Sequence, residues 1–483
     1  MNRRDLLLGG AGALALAGCK TRPATLDPVV VKVTPVASIN PLDSFFEELE
    51  KRTFNYFWDT AEPETGLVPD RWPNSPFASI AACGFALNAY AIGAERGWVT
   101  RAQARARVLQ MLKFLYSLPQ GPDAYSTAGY QGFFYHFLNF RTGLRYGGCE
   151  LSTVDTALFM AGVLFVSGYF NADHPEEAEI RKVADDLYGR VNWPWSIEHV
   201  PDIRMSWSPE QLFNIHDWRG YNEGMIVYVL ALGSPTHPAA PGTWVSFTSN
   251  YYQHWGTLEG QTHLTFGPMF GHQFSAIWID YRGIKDEFMW PQGIDYFENS
   301  RRATLAQRAY AIRNPMDWKG YGPNIWGLTA CDGPADVRMP YLGQTRQFHS
   351  YAARGVSRVD TVDDGTIAPY AAIASLPFAP EIVMPAAREM YKKYGSHIYT
   401  KYGFVDSFNP SFDYDNVPLR HGKRVRGGGW VATDYLGIDQ GPIIAMLENY
   451  RSELIWSVMR RNPYIRSGLQ RAGFEGGWLD STA

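Results

Sequence analysis

The sequence is short of charge and of cysteine. Charged residues make up 19% of 483, against roughly 25% in an ordinary domain. The 44 Lys and Arg face 48 Asp and Glu, for a formal net charge of −4. With no basic surplus to neutralise phosphates, nucleic acid is not expected as a partner. Of the 4 cysteines, Cys19 falls in an N-terminal leader. Cys83, Cys149 and Cys331 remain, an odd number without metal-ligand spacing, so neither a disulfide framework nor a cysteine zinc site is indicated. Also missing are a Gly-x-Ser-x-Gly nucleophile elbow, a Gly-Lys-Ser/Thr phosphate loop and a His-Glu-x-x-His zinc helix. No fixed-period repeat supports an open helical solenoid. No cofactor and no metal are expected.

The first residues read as an address. Arg3-Arg4 precedes an apolar run, 6–17, too short to span a bilayer as a stable helix. The run ends Leu16-Ala-Gly-Cys19, which resembles a bacterial lipoprotein processing box and makes Cys19 the expected lipidation site. The paired arginines resemble a twin-arginine signal. A plain secretory signal cleaved elsewhere is the alternative. Residues 20–41, rich in Pro, Thr and Val, read as a tether. The expectation is an exported periplasmic or cell-envelope lipoprotein that meets the membrane only through its lipid, with a single domain over 42–478.

What the chain has in abundance is aromatic: 15%, with 16 Trp and 28 Tyr. Such residues suit a carbohydrate groove and equally suit a core. Helical periodicity and caps predict helices over 43–61, 77–96, 101–117, 151–170, 175–191, 220–232, 291–314, 366–376, 380–394, 432–450 and 453–461, with a further one near 269–279. Between 242 and 274 the alternation of polar and aromatic residues reads as an inserted β-hairpin region. About twelve helices in consecutive pairs point to an all-α fold, a closed toroid of six hairpins that gathers its connecting loops on one face.

The acids that stand out lie in short loops among Gly, Pro, Trp or His. They are Glu150, Asp155, Glu223, Asp280, Asp332, Asp364, Asp406 and Asp439. Each alone is at home as a cap or turn former. Together, at element ends that a ring would gather, they offer the two carboxyl groups that glycoside hydrolysis needs, one to protonate the leaving oxygen and one to activate water or attack carbon. Glu223 lies in 215–228, just after Trp218 and Tyr221 and at an expected helix start. There the helix dipole favours its ionised form and burial opposes it. His272 and Gln273, near Asp280 and Arg282, suit sugar hydroxyls better than a metal, since no second His stands at ligand spacing.

Seven motifs in order carry a family resemblance. They are Ser-Thr-Val-Asp-Thr-Ala-Leu (152–158), Tyr-Asn-Glu-Gly-Met leading to Ala-Leu-Gly-Ser-Pro-Thr-His-Pro (221–238), and Phe-Gly-His-Gln-Phe-Ser-Ala-Ile-Trp-Ile-Asp-Tyr-Arg-Gly (270–283). Trp-Gly-Leu-Thr-Ala-Cys-Asp-Gly-Pro (326–334), Asp-Gly-Thr-Ile-Ala-Pro (364–369), Gly-Phe-Val-Asp-Ser-Phe-Asn (403–409) and Gly-Ile-Asp-Gln-Gly-Pro (437–442) follow. The chain resembles the bacterial glycoamylase-like domain over about 43–475 and is similar to glycoside hydrolase family 144. That implies an (α/α)6 toroid and inverting hydrolysis of β-1,2-glucan or its oligosaccharides. The resemblance places the general acid at Glu223 and the base at Asp406, with Asp155, Asp364 and Asp439 as alternatives. Substrate contacts are expected from Asp155, Trp218, His272, Gln273, Asp280, Arg282, Trp326, Asp332, Asp364, Trp430, Asp439 and Gln440. The other readings are a glucoamylase-like α-glucan hydrolase, a β-1,2-glucan transglycosylase and a non-catalytic glycan-binding lipoprotein.

Overall fold

The computed structural model describes residues 40–74, 76–198 and 201–481. Arg3-Arg4, the 6–17 run, Cys19 and all but the last two residues of the 20–41 tether lie outside them.

The chain is helix-rich with small two- and three-stranded sheets. Helices buried on nearly every face form an inner set. They are Ile80–Glu95, Thr153–Tyr169, Met225–Gly233, Phe270–Trp278, Pro369–Ile373 and Gly437–Ser452, and each is buried along most of its length. A helix that is hydrophobic on every face has to be covered on every face. More polar helices do the covering: Ser44–Thr60 and Arg101–Ser117 lie on Ile80–Glu95, and Pro175–Gly189 on Thr153–Tyr169. Pro463–Arg471 covers Met225–Gly233, Tyr296–Arg313 covers Phe270–Trp278, and Pro380–Ile398 covers Pro369–Ile373.

Local chemistry explains the boundaries. Asp43 accepts from the amides of Phe45 and Phe46. Thr100 and Gln103 cap each other reciprocally, so the helix starts at Arg101, where the sequence places it. Three expected helices start later than their periodicity suggests, because their first residues are short strands. Phe77–Ser79 pairs with Phe137–Asn139, Leu151–Ser152 with Ser206–Ser208, and Tyr435–Leu436 with Arg71–Trp72. Each of these inner helices therefore springs directly from a strand end, which fixes the direction of its first turn.

The expected 242–274 β-region needs correction. Gly242–Thr248 is helical, and the hairpin is confined to Trp255–Leu258 and Gln261–Leu264. A second hairpin, Val337–Tyr341 with Gln344–Phe348, turns through Leu342 and Gly343, both at positive φ. The Pro463–Arg471 helix is also additional to the sequence reading, being too short to show a long periodic signal.

Two inner helices touch backbone to backbone. A Cβ on Gly84 would lie 2.6 Å from the Leu158 carbonyl oxygen, and one on Gly162 would lie 2.3 Å from that of Gly84. Only glycine permits that approach. No helix among the described residues is long and apolar enough to cross a membrane.

Candidate active site

A cavity of about 430 Å³ opens where the inner helices begin. Ser79, Val154, Asp155, Glu223, Phe270, Tyr370 and Asp439 reach it from the N-terminal ends of six of them. Phe137, Phe274 and Tyr351 supply aromatic wall.

Glu223 occupies the turn before Met225–Gly233 rather than the helix itself. Ser275 holds this turn, its hydroxyl donating to the Glu223 carbonyl at 3.1 Å and accepting the Ile226 amide at 3.1 Å. The carboxyl Oε2 of Glu223 is sealed from solvent and has no hydrogen-bond partner. Burial pushes its pKa up to about 7; its own amide pulls the other way and the Asp155 charge adds to the rise. The contest foreseen between helix start and burial goes to burial.

Asp155 stands in the first turn of its helix, where the Ser152 hydroxyl donates to its carboxylate and accepts its amide at 3.2 Å. His136 faces it, with Nε2 3.6 Å from Asp155 Oδ1 and Nδ1 2.8 Å from Glu150 Oε1. Burial alone would lower the imidazole pKa. The carboxylates of Asp155 and Glu150 outweigh it and raise the value to about 9, so His136 is an imidazolium at neutral pH. The sign of its stability contribution follows. The gain is complete below the ordinary value of 6.5 and is lost as pH rises through about 9. Relative to His136→Gln, wild type should therefore hold an advantage of up to about 3 kcal/mol on the acid side of that window and none on the alkaline side. Denaturant unfolding of both proteins across the window checks this.

Asp439 lines the cavity and Asp406 lies behind it. The charge of Asp406 acts on Asp439. Burial first and mutual repulsion second raise Asp439 well above the ordinary range, and Asp406 is raised by burial and by Asp332. The two differ in support. Asp406 Oδ2 accepts the Asp332 amide at 2.9 Å and the Ser407 hydroxyl at 2.8 Å. The Oδ2 of Asp439 and the Oδ1 of Asp406 are both buried without a partner, and no such donors among the described residues hold Asp439. The charge of the pair accordingly rests on Asp406 and the proton on Asp439.

On the neighbouring wall, Arg71 places its guanidinium 3.0 Å from Asp332 Oδ2, 3.4 Å from Asp434 Oδ2 and 3.6 Å from Asp70 Oδ2. Burial raises Asp70 despite Arg71 and His136. Asp70, Arg71, His136, Tyr351 and Tyr370 all line the cavity, and sequence reasoning did not single them out.

Of the residues singled out, the structure brings Glu223, Asp155 and Asp439 into one cavity, with Asp406 and Asp332 directly behind. Trp218 lines an adjoining hollow. The others have partners of their own. Arg354 grips Asp364 with Nε at 2.6 Å and Nη2 at 2.8 Å, and holds its pKa low against burial. Arg282 and Arg460 take Asp280. His272 uses both ring nitrogens, with the Tyr221 hydroxyl at 3.0 Å and the Phe266 carbonyl at 3.2 Å. Gln273 donates to the Ala371 carbonyl and Gln440 to that of Phe404. Trp326 and Trp430 are core, the latter donating to the His421 carbonyl.

Comparison with known proteins places this geometry. The Glycoamylase family, described as "Putative glucoamylase", matches residues 215–463. A protein of the same description from Bacteroides uniformis has a solved structure that is 32% identical, with a TM-score of 0.76 over 91% of this chain and 100% of that one. An endo-β-1,2-glucanase from Chitinophaga pinensis, solved with sophorotriose and glucose, is 29% identical, with a TM-score of 0.76 over 91% and 100%. The exo β-1,2-glucooligosaccharide sophorohydrolase (non-reducing end) of Parabacteroides distasonis is 28% identical over 98% of this chain. The chain spans 64% of that relative's length.

Proposed function

The chain belongs to the glycoamylase-like family, and on that premise we propose that it is a glycoside hydrolase cleaving β-1,2-glucan or its oligosaccharides by acid/base catalysis with inversion. The observation that carries the reading is Glu223: a cavity-lining carboxyl group with an unpartnered oxygen and a pKa raised to about 7. At neutral pH a large share of it holds a proton and can give it to a glycosidic oxygen. The β-1,2 linkage is taken from the relatives, which include an endo-β-1,2-glucanase and a β-1,2-glucooligosaccharide sophorohydrolase.

The base is Asp406 acting through Asp439. Water on the opposite face of the sugar gives its proton to Asp439, which lines the cavity, while the proton Asp439 already holds moves to Asp406. The water oxygen bonds to the anomeric carbon, the bond to the leaving oxygen breaks and Glu223 protonates that oxygen, so the configuration inverts. Asp155, held by Ser152 and His136, stands in the same cavity as Glu223. Arg71 and Asp332 brace the wall behind the base.

We infer further that the paired inner and outer helices close into an (α/α)6 toroid. The succession of inner helices, each with its outer partner, and the gathering of their first turns at one cavity support that. The leader sequence supports export as a lipoprotein anchored through Cys19.

Product analysis on linear β-1,2-glucan, cyclic β-1,2-glucan and starch tests the function. Release of β-1,2-linked products with inverted anomeric configuration is expected, with starch left intact. Release from starch alone moves the reading to α-glucan, and binding without release moves it to a non-catalytic glycan-binding protein.

A further inference from the structure

We propose that Arg71 is the positioning residue of the base: its one guanidinium joins the carboxyl groups of Asp70, Asp332 and Asp434, the three residues whose main chains hold Asp406 and Asp439 in place. The inference rests on the hydrolase reading above and deepens it.

Main-chain contacts give Arg71 its reach. The Asp332 amide donates to Asp406 Oδ2 at 2.9 Å, and the Asp434 carbonyl accepts the Asp406 amide at 3.1 Å. The Asp70 carbonyl accepts, at 2.8 Å, the amide of Gly437, the first residue of the helix that carries Asp439. These acids stand far apart in the chain, and Arg71 meets all three. Its Nη1 donates to Asp332 at 3.0 Å and to Asp434 at 3.4 Å, one hydrogen for each, and its Nε lies 3.6 Å from Asp70. The pairing of Arg71–Trp72 with Tyr435–Leu436 fixes its own backbone, so the clamp and the start of the Asp439 helix share one small sheet. A lysine ammonium carries the same charge without the planar fork.

The charge matters as much as the fork. Asp332 and Asp70 act on Asp439, and Asp332 acts on Asp406. Tyr56, Tyr351, Tyr370 and the Cys331 thiol also face the pair, and burial keeps each of them uncharged at neutral pH. Of the other cations, Arg354 is committed to Asp364, and His136 to Asp155 and Glu150. Compensation of the acids around the pair therefore falls to Arg71. Without it the pair takes up its second proton at a higher pH.

The pH profile of kcat/KM on β-1,2-glucan separates fork from charge. Arg71→Gln should lower kcat by roughly tenfold and move the acid limb up by roughly one pH unit. Arg71→Lys should return the limb to its wild-type position while kcat stays low. Asp434→Asn keeps an acceptor for Nη1 and removes a carboxylate, so it should move the limb down, an outcome that does not depend on Arg71→Gln folding. A purely structural role would lower rate or stability and leave the limb in place. A limb unmoved in both Arg71→Gln and Asp434→Asn, or moved as far by lysine as by glutamine, overturns the proposal. Lost turnover in Asp406→Asn beside an unmoved limb in Arg71→Gln defeats this inference alone. A moved limb in Arg71→Gln beside full activity in Asp406→Asn defeats the assignment of Asp406 alone. No product from wild type at any pH overturns both.

Discussion

Glu223→Gln should lower kcat on β-1,2-glucan by roughly a hundred- to ten-thousand-fold. The amide keeps the shape of the carboxyl group and cannot give a proton, so binding should survive while turnover does not. In wild type, activity needs the protonated form, and kcat/KM should fall as pH rises through about 7, the value to which burial pushes this carboxyl. The acid limb of the same profile belongs to the base. Below it the Asp406–Asp439 pair takes up a second proton and can no longer accept one from water. An alkaline limb near the ordinary carboxylate range would remove burial as the cause, and near-wild-type turnover by Glu223→Gln would remove the assignment.

The second large effect concerns the pair. Asp439→Asn and Asp406→Asn should each reduce kcat by roughly a hundredfold or more, because the amide at either position interrupts the transfer from water to the buried charge. Residues that act as a unit are not additive. The double variant should therefore be no slower than the slower single one. Losses that multiply would mean that the two carboxyl groups work separately. Full activity in Asp439→Asn would leave Asp406 without its route to water.

Much of the helical scaffold was legible because helix signals are local. Thr100 with Gln103 marks a start within four residues, and the apolar run after Ser152 marks a buried helix. The strand pairs that set the first turns were not legible, since Leu151–Ser152 finds its partner at Ser206–Ser208, far along the chain. The same distinction divides the site. Glu223 could be picked out from its own neighbours, Trp218, Tyr221 and the helix that follows. His136 sits in Phe-Phe-Tyr-His-Phe, which has the texture of core, and it becomes a cation only through Glu150 and Asp155. Asp70-Arg71 reads as a surface ion pair until the fold adds Asp332 and Asp434. In the other direction, Asp364 looks like a free loop acid because sequence shows the carboxylate without showing Arg354 closing on it, whereas the Arg282 that takes Asp280 stands two residues away and the pairing is legible. Acid positions can be read from a chain; which acids remain without a cation is a property of the folded molecule.

The contact between Gly84 and Gly162 bears on how this site tolerates change. Neither residue carries a functional group, and neither lines the cavity. Yet the helices they join bring Ser79 and Asp155 to it, and no side chain lies between the two backbones to absorb an error. A substitution in the aromatic wall can be met by a neighbouring ring turning. At Gly84 or Gly162 even one methyl group meets main chain, and the helices have to part. The alignment of the catalytic groups is thus entrusted to two positions with no chemistry of their own and no acceptable replacement.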